Sequence, residues 1–565
     1  MTSIALGPGY REKALDDLGG TEFDVLVIGG GIVGAGTALD AVSRGLSVAL
    51  VEARDWASGT SSRSSKLIHG GLRYLEQRDF GLVREALRER GLLLSRLAPH
   101  LVRPVRFLYP LRNRIWERAY VGAGVTLYDT MGGARILPWH RQLSRRAALR
   151  EAPALRHDAL VGAIQYYDAQ VDDARYTMMV ARTAALYGAR VATRTEVTGF
   201  LREGARVTGA AVRDLESGRE IAVRARRVVN TTGVWTDGTQ KMTGARAAFT
   251  VQASKGVHIV VPRDRIPMDT GLITRTEKSV LFVIPWGRHW IIGTTDTPWE
   301  KGPDEPVADR ADVDYLLEQA NSWLRVPLTH DDIEGVYAGL RPLLSGDTDD
   351  TTRLSREHTV AEPVPGLVVV AGGKFTTYRV MAEDAVDAAV RGLEEKVPAS
   401  VTARLPIMGA EGFEVLWNDR RRLAAASGLH VARVEHLLRR YGTCVREVLD
   451  LVAADPALGE PIPGAADYLK AEAVYAVSHE GALHLEDVLS RRTRISIEEW
   501  DGGEAAARPV AELIAPFLGW SEDDIAAEVD RHLQRVRAER GGAERGGAEA
   551  PPRSAPSRPS PASAA

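Results

Sequence analysis

The apolar positions of this chain fall into two rhythms. Up to about Thr402, short strand-like runs alternate with helical stretches, and beyond it the pattern is almost purely helical. Val25 to Ile28 is a continuous apolar run, the pattern of a strand buried on both faces. A helical stretch follows to about Arg44, and a second apolar run, Val48 to Val51, ends at Glu52. Together they predict a βαβ unit of about 30 residues. Phe80 to Leu97 reads as helix. Val191 to Val229 alternates like short strands, with turns at Glu203-Gly204 and Glu216-Ser217-Gly218, and leads into Thr232-Gly233-Val234-Trp235 beside the first strands. Val257 to Val261, Val280 to Thr295 with a hairpin at Gly287-Arg288, and Val336 to Leu343 predict a second, antiparallel sheet. Gly366 to Arg379 repeats the opening logic of strand, glycine turn and helix start. Helical patterns such as Val431 to Tyr441 and Tyr468 to His484 then run to about Arg535. The tail from Ala538, rich in Pro, Ser and Ala, is expected to be disordered. The fold class is α/β, with a Rossmann-like nucleotide-binding domain, an antiparallel-sheet domain and an α-helical C-terminal domain.

The turn after the first strand, Gly29-Gly30-Gly31-Ile32-Val33-Gly34, satisfies G-x-G-x-x-G, and Glu52 follows at about the expected 20 positions. Gly29 permits the tight turn, Gly31 lets a pyrophosphate approach the backbone, and Gly34 lets helix and strand pack closely. The free N–H groups at the helix start then face the pyrophosphate, and Glu52 can accept from ribose hydroxyls while disfavouring a 2′-phosphate. The motif predicts dinucleotide binding and leaves FAD and NAD undistinguished.

Composition narrows the picture. The chain has 565 residues, enough for two or three domains, and 44% hydrophobic and 26% charged residues are ordinary for a globular protein. A net charge of −3 gives no general attraction for nucleic acid, so an anionic ligand needs a local cluster of Arg and Lys. Cys444 is the lone cysteine, which excludes an internal disulfide, a thiolate metal cluster and a C-x-x-C redox pair, and fits a reducing cytosol. Residues 1–20 lack the pattern of a secretory signal, and no apolar run approaches the ~18 residues of a spanning helix, so membrane association is expected to be peripheral.

Two further stretches invite chemistry. Gly59 to Glu76 collects four serines, Lys66, His69, Gly70, Gly71 and Arg73 between buried elements, as a ligand-wrapping loop does. Arg103 to Tyr120 interleaves five arginines with Phe107, Tyr109, Trp116 and Tyr120. That suits an interfacial segment on anionic lipid, and equally a surface helix with arginine stems over core aromatics.

Four segments, Gly29–Gly36, Thr60–Glu76, Leu281–Asp296 (LFVIPWGRHWIIGTTD) and Ala371–Arg379 (AGGKFTTYR), together resemble the FAD-dependent glycerol-3-phosphate dehydrogenases. These are aerobic respiratory enzymes of the D-amino-acid-oxidase-like flavoprotein superfamily. The resemblance covers roughly residues 20 to 500, with AVSHEGALHLEDVLSRRT at Ala476–Thr493 in the helical part. It implies non-covalent FAD, oxidation of sn-glycerol 3-phosphate to dihydroxyacetone phosphate by hydrogen transfer to flavin N5, and a membrane quinone as acceptor. It also implies a homodimer, cytoplasmic and peripheral on the inner face of the plasma membrane. The implied layout is an N-terminal extension at 1–20, an oxidoreductase unit at 21–395, a helical domain at 402–535 and a tail at 538–565. Within 21–395, FAD-binding segments at about 21–100, 160–250 and 345–395 interleave with substrate-binding segments at about 101–160 and 251–344.

By matched motif, the resemblance puts the anion-binding cluster on Arg73, Arg341, Arg356 and Lys374, with Tyr74 a further substrate contact. Arginine suits bidentate phosphate recognition and lysine a point charge. His258, in SKGVHIVVP, is the candidate general base, since an imidazole titrates near neutrality, and Arg341 is expected to act beside it. Besides Gly29, Gly31, Gly34 and Glu52, the implied cofactor contacts are Thr60, Ser61, Ser65, Lys66, Leu67, Gly70, Gly71, Val197, Thr232, Gly233, Trp235, Gly339, Gly373, Lys374, Phe375 and Thr376. The Phe375-Thr376 turn would face the flavin's pyrimidine edge with backbone N–H groups. The competing readings are an oxygen-using glycerol-3-phosphate oxidase, an amine or amino-acid oxidase, and a flavin-binding protein without turnover.

Overall fold

The computed structural model describes residues 3–71, 79–113, 115–132, 136–245, 247–276, 280–304, 306–344, 358–391 and 393–544. Its first sheet has eight strands among these residues, with the order His358–Val364, Leu367–Gly372, Glu220–Asn230, Glu22–Ile28, Val48–Val51, Arg190–Ala192 along its main path. The centre is parallel: Val25–Ile28 lie in register with Val48–Val51 on one side and, on the other, with Arg227–Asn230. Both faces are covered, which is why the central runs are continuously apolar rather than alternating. One face packs against the helices Ile32–Ser43, Asp173–Leu186 and Tyr378–Val390. The other meets Leu15 and Leu18 of the helix Pro8–Gly20 and the hairpin formed by Thr195–Glu203 and Arg206–Asp214.

The second sheet has ten strands among the described residues, and its main path runs Thr297–Trp299, Val251–Pro262, His289–Gly293, Val280–Trp286, Gly271–Arg275, Val102–Leu111, Gly162–Val171, Leu67–Ile68. Gly335–Leu344 pairs antiparallel with Val251–Pro262 along its length. Two separate apolar clusters pack on this sheet.

The chain departs from the sequence expectations in three places. Gly162–Val171, expected in the FAD-binding segment, pairs with Val102–Leu111 in the second sheet, as does Leu67–Ile68 with Gly162–Val171. Nine of its ten residues are buried, so no polar alternation distinguished it from a strand of the parallel sheet. Arg103 to Tyr120 is not one interfacial segment. Its first half is the strand Val102–Leu111, where Phe107 and Tyr109 are core residues, and its second half opens the helix Trp116–Gly132, where Trp116 and Tyr120 face solvent. Residues 538–544, expected in the disordered tail, belong to the helix Glu522–Glu544. That extension is held by the Arg535–Glu539 pair and by Gly542 and Ala543 packing on the second sheet's helical flank, where a Cβ at Gly542 would meet the Ala308 carbonyl. Among the described residues no helix is long and apolar enough to cross a membrane.

The helices beyond residue 402 are amphipathic and bury Val434, Leu437 and Leu438 toward the main core and Val477, Val488, Val510 and Ile514 toward their own.

Candidate active site

The glycine turn is built as the motif demands. Gly29 has φ +107°, a value open to glycine and strained for other residues. A Cβ on Gly34 would lie 1.8 Å from the Gly29 carbonyl oxygen, so only hydrogen fits there. Gly31 immediately precedes the helix Ile32–Ser43, which has no side-chain cap at its N-terminal residue. The N–H of Ile32 donates to Ser61 Oγ at 3.0 Å and that of Gly29 to the Val51 carbonyl at 2.9 Å, and the uncapped helix start leaves further backbone donors for an anion. Glu52 is turned to the same loop: its carboxylate accepts from Gly30 N–H at 2.6 Å and Arg54 N–H at 2.8 Å. Burial raises its pKa against those hydrogen bonds. Gly30 was not among the expected contacts, yet a Cβ there would strike the Trp56 ring at 2.6 Å.

The Gly59–Gly71 stretch winds between the sheets. Thr60 Oγ1 donates to the Leu340 carbonyl at 2.6 Å, and a Cβ on Gly339 would meet Arg63. Lys66 has φ +56° and points away from the glycine turn: its Nζ, fully buried, donates to Asp173 at 2.9 Å and to the Ser62 carbonyl at 3.0 Å. Burial and the nearby Arg494 push its pKa down to about 8. Its side chain is therefore a structural charge, and only its backbone remains to face a cofactor. Leu67 sits in the short strand, Gly70 N–H donates to Tyr128 OH at 2.8 Å, and Gly71 has φ +73°. His69 N–H donates to Thr376 Oγ1 at 3.2 Å, which ties this stretch to the second glycine turn. There Gly373 has φ +79°, Lys374 is extended, and Phe375–Thr377 form one 3₁₀ turn with the Phe375 ring edge-on to Tyr176.

Thr232 and Gly233 follow the strand Glu220–Asn230, the latter with φ +59°, and Trp235 Nε1 donates to Asp304 at 3.2 Å. Val197 lies at the start of its hairpin, buried opposite Val212.

The substrate-side residues come together across two paired strands. His258 and Arg341 lie on Val251–Pro262 and Gly335–Leu344, facing Tyr337 and Ser254 in register. The His258 ring stacks on Tyr337 at 4.8 Å, and a Cβ at Gly293 would collide with it at 2.2 Å. Its Nε2 shares a hydrogen bond of 2.8 Å with Ser65 Oγ, while Nδ1 is buried with no partner among the described residues. Burial, then the charges of Arg341 and Lys66, hold its pKa well below the usual range, so the ring is neutral at neutral pH. Arg341 donates to Thr294 Oγ1 at 2.8 Å and the Thr295 carbonyl at 2.9 Å, and lies 3.4 Å from Asp296. Arg73, Tyr74 and Arg356 lie outside the described residues.

A buried lattice of charges that the sequence did not disclose surrounds this site. Asp55, three residues past Glu52, is gripped by Arg492 at 2.6 and 2.7 Å and by Arg491, and Arg175 forms a two-point pair with Glu480. These partners are hundreds of residues apart, and their only signal was the charge-rich Ala476–Thr493 stretch. The helical domain thus braces the loop behind Glu52.

The turn at Gly29–Gly34, the buried acid after the second strand and the neutral histidine on the facing sheet have the geometry of a dinucleotide-dependent oxidoreductase, and the comparisons identify the dinucleotide as FAD. A sequence model described as FAD dependent oxidoreductase matches residues 24–388, and one described as the C-terminal domain of alpha-glycerophosphate oxidase matches 400–525. Glycerol-3-phosphate dehydrogenase 2 of Mycobacterium tuberculosis (strain ATCC 25618 / H37Rv) is 59% identical over 537 residues, covering 95% of this chain and 92% of that protein. The human mitochondrial glycerol-3-phosphate dehydrogenase is 39% identical, over 91% of this chain and 73% of its own. A structure of the Bacillus halodurans glycerol-3-phosphate dehydrogenase complexed with FAD superposes with a TM-score of 0.78 at 29% identity, covering 94% of this chain and 98% of that one. The chain belongs to the FAD-dependent glycerol-3-phosphate dehydrogenase family.

Proposed function

We propose that the chain oxidises sn-glycerol 3-phosphate to dihydroxyacetone phosphate at the His258–Arg341 site and delivers the electrons to a membrane quinone. The observation that carries this reading is His258: a buried, neutral imidazole with one ring nitrogen unpartnered, fixed between Tyr337, Ser65 and Gly293. Bound FAD supplies the two-electron acceptor. With Ser65 accepting from Nε2–H, Nδ1 keeps the lone pair that takes the C2 hydroxyl proton. The depressed pKa keeps that lone pair free at neutral pH, and the arriving phosphate dianion offsets part of the positive field that depresses it. Arg341, braced by Thr294 and Asp296, orients the substrate's oxygens, and Lys374 with Arg73, Tyr74 and Arg356 holds the phosphate.

For membrane delivery, the C-terminal half of the Arg103–Tyr120 stretch supplies the exposed surface. On and just before the helix Trp116–Gly132, Ile115 is 82%, Trp116 62% and Tyr120 53% exposed, and Leu127, Ile136 and Trp139 are exposed nearby. Aromatic and aliphatic side chains with Arg112 close by suit the headgroup region of an anionic bilayer, on the inner face of the plasma membrane. The match to the C-terminal domain of an oxidase favours oxygen as the second reading.

Anaerobic mixing with glycerol 3-phosphate tests the proposal. The flavin absorption should bleach with this substrate and not with glycerol, and should return with a soluble quinone far faster than with air. Rapid return in air, with peroxide formed, establishes the oxidase instead, and no bleaching removes the substrate assignment.

A further inference from the structure

His258 has unequal neighbours in its sheet. It lies opposite Tyr337 on the strand Gly335–Leu344 and opposite Gly293 on the strand His289–Gly293. Residues directly opposite on antiparallel strands put their side chains on one face of the sheet, with Cβ atoms about 5 Å apart. One flank of the imidazole is therefore an aromatic ring and the other a bare glycine. The imidazole lies over the glycine, since a Cβ there would stand 2.2 Å from His258 Cδ2. On its other flank the Tyr337 ring is parallel to it within 11°, with the centroids 4.8 Å apart. The glycine gives room and no wall, so the plane of the imidazole is set by Tyr337 and by the hydrogen bond to Ser65.

Tyr337 also governs that hydrogen bond. Its hydroxyl, on a buried side chain, donates to the Ser64 carbonyl at 3.0 Å. The carbonyl belongs to the peptide that joins Ser64 to Ser65, so the side chain that stacks on the imidazole also aims the imidazole's hydrogen-bond partner. The other ties of Ser64, from its N–H and Oγ, go to Asp173 at 2.9 and 2.7 Å, away from His258. Burial lifts the pKa of the phenol well above its ordinary value, so Tyr337 remains a donor at any working pH. Lys66 Nζ lies 4.9 Å from the centre of the same ring, which thus also fills the space beside the buried ammonium.

We propose that Tyr337 is a positioning residue for the base: its ring sets the plane of His258 and its hydroxyl sets Ser65, so that Nδ1 faces the substrate hydroxyl while Ser65 holds Nε2–H. The stacked ring also favours the imidazolium that forms as the proton arrives, because the negative face of an aromatic ring attracts a cation. Without the ring, the imidazole gains space to turn and water gains access to it. A misplacement of about 1 Å at a reacting group costs about 10²-fold in rate. This inference rests on the reading of His258 as the base and adds the residue through which that base is aimed.

The test follows single anaerobic turnovers of FAD-loaded full-length protein with saturating glycerol 3-phosphate. It compares Tyr337→Phe, Tyr337→Leu, His258→Gln and the double variant carrying both Tyr337→Leu and His258→Gln. Tyr337→Phe keeps the ring and should slow flavin reduction by about three- to tenfold, the worth of one hydrogen bond. Tyr337→Leu should slow it by about 10²-fold, with KM for glycerol 3-phosphate within about twofold of wild type. Burial, then the charges of Arg341 and Lys66, depress the pKa of His258. Water admitted by Tyr337→Leu relieves the first of these, so the acid limb of the rate should move to higher pH, a shift that mere loss of folded protein does not produce. In the His258→Gln background, Tyr337→Leu should slow the reaction no further, because residues that act as a unit are not additive. If His258→Gln reduces the flavin at the wild-type rate, the base reading falls and this one with it. If His258→Gln is slow while Tyr337→Leu keeps the wild-type rate, or if the two losses multiply, the role of Tyr337 alone is overturned. Should Tyr337→Leu fail to retain FAD, Tyr337→Phe decides: a wild-type rate overturns the proposal, and a loss that vanishes in the His258→Gln background supports it.

Discussion

Three consecutive residues serve two different kinds of polar cluster. Ser64 and Lys66 turn to Asp173, whose oxygens accept from Ser64 N–H at 2.9 Å, Ser64 Oγ at 2.7 Å, Lys66 Nζ at 2.9 Å and Arg494 at 2.5 Å. Ser65, between them, turns to His258. In the first cluster every charge is answered inside the protein, and Asp172, Asp173, Lys66 and Arg494 form a closed set. In the second, a buried ring nitrogen is left without a partner among the described residues. A buried polar group left without a partner is costly, so a fully answered cluster marks scaffold and an unanswered ring nitrogen marks the site.

Breaking the closed set has the largest expected effect. Arg494→Met leaves two buried carboxylates facing one lysine and the more distant Arg440, and should cost about 3–5 kcal/mol of stability, read by denaturant unfolding of the FAD-loaded protein. Rates per folded molecule should change little, and a variant as stable as wild type would show that the lattice is not a scaffold.

A smaller effect is expected at the seam between the helical domain and the first sheet. Burial opposes the charged form of His484, but hydrogen bonds to Glu216 and Glu528 override it and push its pKa up to about 10. A raised folded-state pKa gives stability that is whole below the ordinary value near 6.5 and fades as pH climbs through 10. His484→Gln should therefore lose about 2 kcal/mol at pH 6, since solvent at Glu216 screens the pair, and the gap to wild type should close above about pH 10. A gap that does not depend on pH would mean that packing, not charge, holds the seam.

The smallest effect sharpens the comparison at Ser65. Ser65→Ala should slow flavin reduction by about three- to tenfold, the worth of one hydrogen bond, and leave stability within about 1 kcal/mol. An equal loss of stability and no change in rate would place Ser65 with its neighbours in the scaffold.

What was legible in the chain follows from the same physics. The Gly29–Gly34 turn and the strands around it were readable because backbone sterics fix glycine at particular positions, and a parallel core demands unbroken apolar runs. The pairing of His258 with Arg341 came only from the resemblance, since nothing local puts residues 258 and 341 on neighbouring strands. The side-chain ion pair of Lys66 with Asp173, 107 positions away, left no trace in the polar loop that carries the lysine. Arg103–Tyr120 was legible only in part: its aromatics allowed a core or an interface, and Phe107 and Tyr109 are core residues of a strand while Trp116 and Tyr120 face solvent. Long-range charge pairs such as Asp55–Arg492 leave no periodic trace at all.

The most direct test of the account is the rate of flavin reduction by glycerol 3-phosphate in a single anaerobic turnover of His258→Gln. With FAD retained and stability near wild type, the rate should fall by about 10²- to 10⁴-fold. Reduction at the wild-type rate would contradict the claim that the unpartnered imidazole takes the hydroxyl proton.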